Sequence, residues 1–152
     1  IMSSTRAETA VEAFRSGMLC SQAVLSSYGP DYGLDKEMAV KIARGFGSGI
    51  SRTSETCGAV SAAIMVLGLP YEGIEKQAKE ETYRLVQEFM KEFKARHSSF
   101  NCTCLLGCHL GTAEGQEYFN SHGLKETHCV TFIRDAGDIL EKLLDGNKNE
   151  VT

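Results

Sequence analysis

The stretch that decides the fold is "SETCGAVSAAIMVLG", residues 54–68, in which a cysteine stands at the start of an apolar run. Ser54, Glu55 and Thr56 precede the run as candidate capping residues. From Cys57 onward the stretch holds only small, aliphatic and other uncharged residues, a composition typical of a shielded helix. We therefore predict a helix that begins at a thiol. Either Cys57 is a small core residue, or the helix serves to position its sulfur.

Helical spacing of apolar residues continues through the rest of the chain. A long charged helix is predicted within residues 73–97, and it carries one apolar stripe that is either core or an interface between two helices. That stripe consists of Leu85, Phe89 and Phe93. No segment bounded by hairpin turns alternates apolar and polar residues as a strand would. We predict an all-α fold, a single-domain bundle of about six or seven helices over residues 3–146, with a frayed polar tail at residues 147–152.

Local signals indicate where helices begin and end. Asp35 precedes "KEMAVKIARGFG" as an N-cap, and Pro70 follows the Cys57 helix as a stop signal. Residues 45–49, "GFGSG", lack the Lys-Ser/Thr ending of a phosphate-binding loop, so they are interpreted as a flexible turn. Their glycines would let backbone N–H groups approach a cluster or substrate near Cys57.

Composition and charge exclude several classes of protein. The chain has 152 residues, enough for one domain with a real core, and its 42% hydrophobic and 24% charged residues are ordinary for a soluble protein. Its net charge is −4 and its basic residues are scattered, so we expect neither nucleic acid nor a membrane surface as a partner. The N-terminal residues lack the apolar core of a signal peptide, and the predicted location is the cytoplasm. The expected oligomer is a homodimer.

Six cysteines are too many for a cytoplasmic chain to carry without a role. In a reducing compartment they are more often metal ligands or redox-active thiols than structural disulfides. Four of them lie near predicted helix ends in separate parts of the chain: Cys20, Cys57, Cys102 and Cys129. Free N–H groups and the positive end of the helix dipole favour thiolate there, so the pKa of Cys57 is predicted to be depressed.

Three chemistries fit these thiols. An iron–sulfur cluster needs about four converging thiolates. A zinc site takes four nitrogen or sulfur ligands, and His109 or His128 stands where it would complete one. A dithiol–disulfide couple needs one attacking and one resolving cysteine, and folding would have to assemble the pair because the chain has no C-x-x-C.

The chain resembles the putative redox-active family named for the pattern C…CGAxxG…C…C (C_GCAxxG_C_C). The resemblance runs through nearly the whole chain, in "CSQAVLSSYG", "TCGAVSAA", "CTCLLG" and "HCVTFIRDAGDIL", which contain the four cysteines in order. The chain departs from the pattern at Ala62, where the last glycine is expected. Alanine keeps that site small, so close helix packing is expected to survive.

The resemblance implies a small helical domain with a redox role, similar to a domain of split-Soret cytochromes that is associated with a binuclear iron–sulfur cluster. It therefore implies electron transfer or redox sensing through a cluster, with [2Fe–2S] as the suggested type, and a redox partner protein. The implied ligands are Cys20, Cys57, Cys102 and Cys129, with Cys104 and Cys108 as possible substitutes and Gly58 and Ala59 beside the cofactor. The alternatives are a thiol–disulfide oxidoreductase with no cofactor and a zinc-binding helical protein.

Overall fold

The backbone of residues 5–150 is helical over most of its length. The computed structural model describes these residues, with side chains described from residue 5 to 146. Within them the right-handed α-helices are α1 (Thr5–Arg15), α2 (Cys20–Tyr28), α3 (Lys36–Ala43), α4 (Gly58–Gly68), α5 (Lys76–His97), α6 (Cys102–Leu106), α7 (Ala113–Ser121) and α8 (Val130–Glu150). This confirms the all-α prediction. The helices number eight in this part of the chain because the cysteine-rich stretch after α5 forms two short helices, α6 and α7.

The apolar stretch that follows Cys57 forms α4, the helix at the centre of the packing. Most of α4 is buried, and it packs against α2, α5 and α8. Its buried residues are Gly58, Ala59, Val60, Ala62, Ala63, Val66 and Leu67. Ala62 is fully buried, so a small alanine side chain stands in the core where the pattern has glycine. One face of α4, formed by Ser61, Ile64, Met65 and Gly68, is half-buried, and the rest of the helix is covered by its neighbours.

The long helix α5 is amphipathic, and its apolar stripe lies in the core. Leu85, Phe89 and Phe93 are at most 1% exposed, and the two phenylalanine rings stack with centroids 6.0 Å apart. The stripe is therefore core, and it is not free to form an interface between chains. The homodimer stays a prediction. None of the described helices combines the length and the apolar character required to cross a bilayer.

The start of α4 differs from the predicted capping. Asp35 does cap α3, since its carboxylate accepts the Met38 N–H at 3.0 Å. On α4, however, Cys57 itself is the N-cap residue. The segment 54–57 runs alongside residues 100–103 instead, and the Cys57 N–H donates to the Phe100 carbonyl at 2.8 Å. This pairing, invisible to local sequence patterns, brings Cys57 next to the start of α6.

The glycine-rich stretch before α4 coils in the left-handed sense. The φ angles are 56° at Ser48, 64° at Gly49 and 62° at Ile50, and they stay positive through Arg52. A left-handed conformation costs roughly 1–2 kcal/mol per non-glycine residue, so neighbouring contacts must hold it. The Ser51 hydroxyl donates to the Gly45 carbonyl at 2.8 Å as one such contact. We call residues 47–52 the left-handed turn; backbone strain of this kind is concentrated at functional sites.

The last helix runs farther than its sequence signals indicate. A stop was predicted near Gly146, but the backbone of α8 stays helical to Glu150. The frayed tail at 147–152 and the domain limits 3–146 stay predictions. Residues 3, 4, 151 and 152 lie outside the described part of the chain.

Candidate functional site

Four cysteines from separate elements line one cavity of about 280 Å³. Cys20 begins α2, Cys57 caps α4, Cys102 begins α6, and Cys129 ends a π-helical turn that leads into α8. These are the four cysteines that the sequence singled out. Cys104 is exposed and Cys108 half-buried, and neither lines the cavity. All six cysteines are free thiols.

The sulfur of Cys20 lies against the first residue of α4. A Cβ added to Gly58 would lie 2.6 Å from Cys20 Sγ and 2.7 Å from the Phe46 carbonyl oxygen. Only glycine fits between the two. The backbone N–H groups of Ser48 and Gly58 face this sulfur and favour its thiolate, although burial outweighs them and raises the pKa of Cys20. The left-handed turn and the start of α4 thus form a cradle of N–H groups around one sulfur.

The predicted depression of the Cys57 pKa is wrong in sign. Burial raises the pKa of Cys57 well above that of a free thiol, and the nearby Cys20 sulfur raises it further. The N–H groups of Ala59 and Val60 act in the opposite direction, but the side chain makes no capping hydrogen bond. The free energy needed to remove water from the Cys57 thiolate therefore exceeds the stabilisation that the N–H groups at the start of α4 provide.

Cys102 is tied to a buried serine. Burial raises the pKa of Cys102 to about 11, and the Ser54 hydroxyl, a donor toward the sulfur, acts against this rise. Ser54 is 2% exposed; its oxygen accepts the Leu110 N–H at 3.3 Å, and its carbonyl accepts the Thr103 hydroxyl at 3.0 Å. Ser54 therefore holds the start of α6, and with it Cys102, in place.

Cys129 lines the same cavity from the end of the π-helical turn. Burial is the main cause of its raised pKa, and the charges of Cys20, Cys57 and Cys102 add to the rise. The π-helical turn Lys125–Cys129 displaces the helical register just before α8. Single π-helical turns of this kind occur frequently at functional sites.

The remaining walls of the cavity are largely apolar. They include Phe14, Met18, Leu105, Leu106, Leu110, Phe119 and Phe132. Gly58 and Ala59 also line the cavity, as do the exposed cations Arg52 and Lys125. The sulfurs thus face a space of low dielectric constant, where electrostatic interactions are stronger than in water.

Neither candidate histidine lines this cavity. His109 is exposed and its Nδ1 accepts the Gly111 N–H at 3.0 Å, whereas His128 Nδ1 lies 2.8 Å from the Thr127 hydroxyl. Within the described residues, no three histidine, cysteine, aspartate or glutamate side chains are grouped so that they could hold a single metal ion. A zinc site completed by either imidazole therefore has no support in the fold.

The exposed and buried thiols should react at different rates. In the reduced, metal-free protein at neutral pH, iodoacetamide is expected to modify Cys104 first and Cys57 last. We expect the rate at Cys57 to be about tenfold or more below the rate at Cys104, because iodoacetamide alkylates only a thiolate that it can reach. Peptide mapping by mass spectrometry would measure the order. Fastest modification at Cys57 would instead indicate the attacking thiolate of a thiol–disulfide enzyme.

The stability of the metal-free, reduced protein should fall at alkaline pH. Buried Cys102 keeps its proton in the folded state up to about pH 11, whereas the unfolded thiol loses it near pH 8.5. Cys102 therefore makes its full contribution to the free energy of unfolding below about pH 8.5. That contribution falls by roughly 2–3 kcal/mol as the pH approaches 11. Urea unfolding from pH 7 to 10.5 would measure the slope. Cys20, Cys57 and Cys129, whose pKa values burial also raises, add to the same slope. Cys102→Ala should therefore reduce the slope by the share of Cys102, and Cys104→Ala should leave it unchanged; equal slopes in both variants would contradict this assignment.

Sequence reasoning missed several parts of the site. Ser54 was interpreted as a helix cap, but it anchors α6 through contacts to a segment about fifty residues away. Lys125 and the α7 residues Gln116, Phe119 and Asn120 also line the cavity without any local signal. The left-handed turn did carry a signal, the glycines of "GFGSG", although the pattern gave no indication of the sense of its coil.

Comparison with known proteins gives one match. The family model described as "Putative redox-active protein (C_GCAxxG_C_C)" matches residues 18–143, a range that holds all six cysteines. Where that description reads Gly-Cys-Ala, this chain has Cys57, Gly58 and Ala59 in that order. Neither the curated proteins nor the solved structures give a significant match.

Proposed function

The chain belongs to the C_GCAxxG_C_C family of putative redox-active proteins, and we propose that it transfers electrons or senses redox state through an iron–sulfur cluster. The proposed ligands are Cys20, Cys57, Cys102 and Cys129. One observation carries the proposal: four thiols from four elements line a single cavity. Four cysteine thiolates are the usual ligand set of such clusters.

The size of the cavity supports a group of several atoms. Sulfur ligands around one tetrahedral zinc ion lie about 3.8 Å apart, given zinc–sulfur bonds of about 2.3 Å. A cluster spans ligands that are farther apart. A cavity of about 280 Å³ offers room for it beside Gly58 and Ala59, which carry almost no side chain.

The electrostatics of the site support a cationic occupant. Four buried or half-buried thiols with raised pKa values stay neutral by themselves, and a bound metal would make them lose their protons. The N–H groups facing Cys20 and the Ser54 hydroxyl would then donate to negative sulfurs and stabilise them. When bound, the cluster would accept and return single electrons. Apolar walls such as Phe14 and Phe132 would keep water from the sulfurs.

The proposal includes the cytoplasm as the location and a redox protein as the partner. A reducing compartment keeps six cysteines available as thiols. The metal-free thiol–disulfide enzyme has less support, because such an enzyme needs a thiolate of low pKa and burial raises the pKa of Cys57 and Cys129.

Anaerobic purification with metal analysis tests the proposal. We expect iron and acid-labile sulfide in equal amounts, with visible absorption that bleaches on reduction. A colourless, iron-free protein after anaerobic reconstitution would contradict the proposal. A reversible change in the free-thiol titre of that metal-free protein would support the thiol–disulfide enzyme instead.

A further inference from the structure

An exposed apolar patch covers the outer side of α3 and the left-handed turn. Met38 and Ile42 are each 48% exposed, and Ile50 is 39% exposed. Met38 and Ile42 are four residues apart on α3 and therefore share one face of the helix. We call Met38, Ile42 and Ile50 the α3 patch. They make up half of the large apolar side chains that are exposed among the described ones, so apolar exposure is concentrated here.

The left-handed turn folds back on the segment that follows α3. The Ser51 hydroxyl donates to the Gly45 carbonyl at 2.8 Å, and the Thr53 hydroxyl donates to the Ile50 carbonyl at 2.8 Å. These contacts tie the turn to the residues that directly follow α3. Residues 44–46 connect the helix that carries Met38 and Ile42 with the turn that carries Ile50.

The same turn touches two of the four cysteines on its inner side. The Ser48 N–H faces the Cys20 sulfur, and a Cβ added to Gly49 would lie 2.7 Å from the Cβ of Cys102. Ile50 follows these two residues directly. The turn therefore connects exposed Ile50 directly with backbone that contacts two of the four cysteines.

Positive charge predominates in the segment that carries the patch. Residues 35–52 contain four basic residues and two acidic ones, Asp35 and Glu37, a net charge of +2 in a chain of net charge −4. Glu37 pairs with Lys41 at 3.0 Å. In the described part of the chain, no carboxylate pairs with Lys36, Arg44 or Arg52. A partner that fits this surface has to combine apolar contacts with negative charge.

We propose that the α3 patch and its basic rim dock an acidic electron-transfer protein, which exchanges one electron with the cysteine site. This rests on the proposed function. In each encounter one electron leaves the reduced protein and enters the oxidised one, and no bond forms or breaks. A second copy of this chain is a poor occupant, because a symmetric contact would place one net-positive segment against another.

Stopped-flow kinetics with the loaded protein test the proposal. The probe is a reduced, acidic plant-type ferredoxin, and a basic cytochrome c serves as the comparison. The double variant Lys36→Glu/Arg44→Glu is expected to slow the second-order reaction with the ferredoxin about tenfold or more at low salt, and 0.5 M salt should remove most of this difference. Met38→Ser/Ile42→Ser should slow it at both salt concentrations. Circular dichroism would verify that both variants are folded.

A matched control carries the same change of charge elsewhere. Lys76→Glu/Lys79→Glu alters two exposed lysines on α5 and should change the rate less than twofold. Equal slowing by the two charge-reversed variants would overturn the proposal, and so would faster exchange with cytochrome c than with the ferredoxin.

Docking can also be measured without a cluster. If the protein binds no iron, the proposed function fails, but oxidised ferredoxin added to the ¹⁵N-labelled chain should still shift the amide signals of Met38, Ile42 and Ile50. Shifts confined to other surfaces, or none, would overturn the docking surface. The docking surface would also be overturned if the unaltered chain associated with itself and Met38→Ser/Ile42→Ser abolished that association. The patch would then bind a second copy of the chain.

Discussion

Replacing Cys57 by serine is expected to lower the iron content of the anaerobically prepared protein about tenfold or more, with loss of the visible absorption. Cys57 is buried at the start of α4, between the elements that carry Cys20 and Cys102. A serine hydroxyl at that position keeps its proton at neutral pH and cannot supply the negative sulfur that iron binds. Iron analysis and absorption spectra of the two proteins, prepared side by side, measure the effect.

The matched control is Cys104→Ser. Cys104 is exposed and outside the cavity, so this variant should hold as much iron as the unaltered chain. The pair Cys102→Ser and Cys104→Ser also decides which cysteine of "CTCLLGC" supplies the third ligand. Full iron content in Cys102→Ser, or loss of iron in Cys104→Ser, would contradict the assignment. If Cys57→Ser lost iron because it was unfolded, its circular dichroism would reveal the difference.

Gly58→Ala should both destabilise the fold and displace a ligand. The new methyl group would lie 2.6 Å from Cys20 Sγ and 2.7 Å from the Phe46 carbonyl oxygen, so α4 or Cys20 has to move. Overpacking of this kind costs about 1–3 kcal/mol, more than the about 0.5–1 kcal/mol that alanine gains over glycine within a helix. We expect a lower midpoint in urea and a reduced iron content, measured on the same preparation.

Gly146→Ala is the control that measures only the stability that alanine adds over glycine within a helix. Gly146 lies in α8 with nothing within 4 Å of the position of an added Cβ, so alanine there should stabilise by about 0.5–1 kcal/mol and leave the iron content unchanged. The opposite signs of the two glycine replacements would show that the Cys20 contact makes Gly58 necessary. A Gly58→Ala protein with a higher midpoint in urea and an unchanged iron content would contradict the predicted steric contact with Cys20.

The helices could be predicted well because the interactions that form them are local. The Leu85–Phe89–Phe93 stripe has helical spacing, and that spacing predicts an amphipathic helix with one apolar face, although only the structure shows that the face lies in the core. The Asp35 cap needs only the N–H group three residues later. The boundaries were less certain, since α8 passes Gly146 with no local reason to stop there.

Other features depended on contacts between distant segments. Ser54, Glu55 and Thr56 have the composition of a cap. The carbonyls of Ser54 and Glu55 instead accept the N–H groups of Thr103 and Cys102 at the start of α6, and Cys57 takes the capping position. The sign of the Cys57 pKa was misjudged for a related reason. A helix start can be recognised in sequence, whereas the depth of burial depends on everything packed around it.

The sequence by itself determined an all-α chain built around an apolar helix, with four cysteines near the starts or ends of its helices, because periodicity and capping act over a few residues. Only the tertiary structure decided that these four cysteines face one cavity while Cys104 stays outside. It also decided that the turn before α4 coils to the left and that burial raises the pKa values of the four thiols. The physical reason is that convergence and desolvation are properties of segments that meet in space, and no window of neighbouring residues contains them.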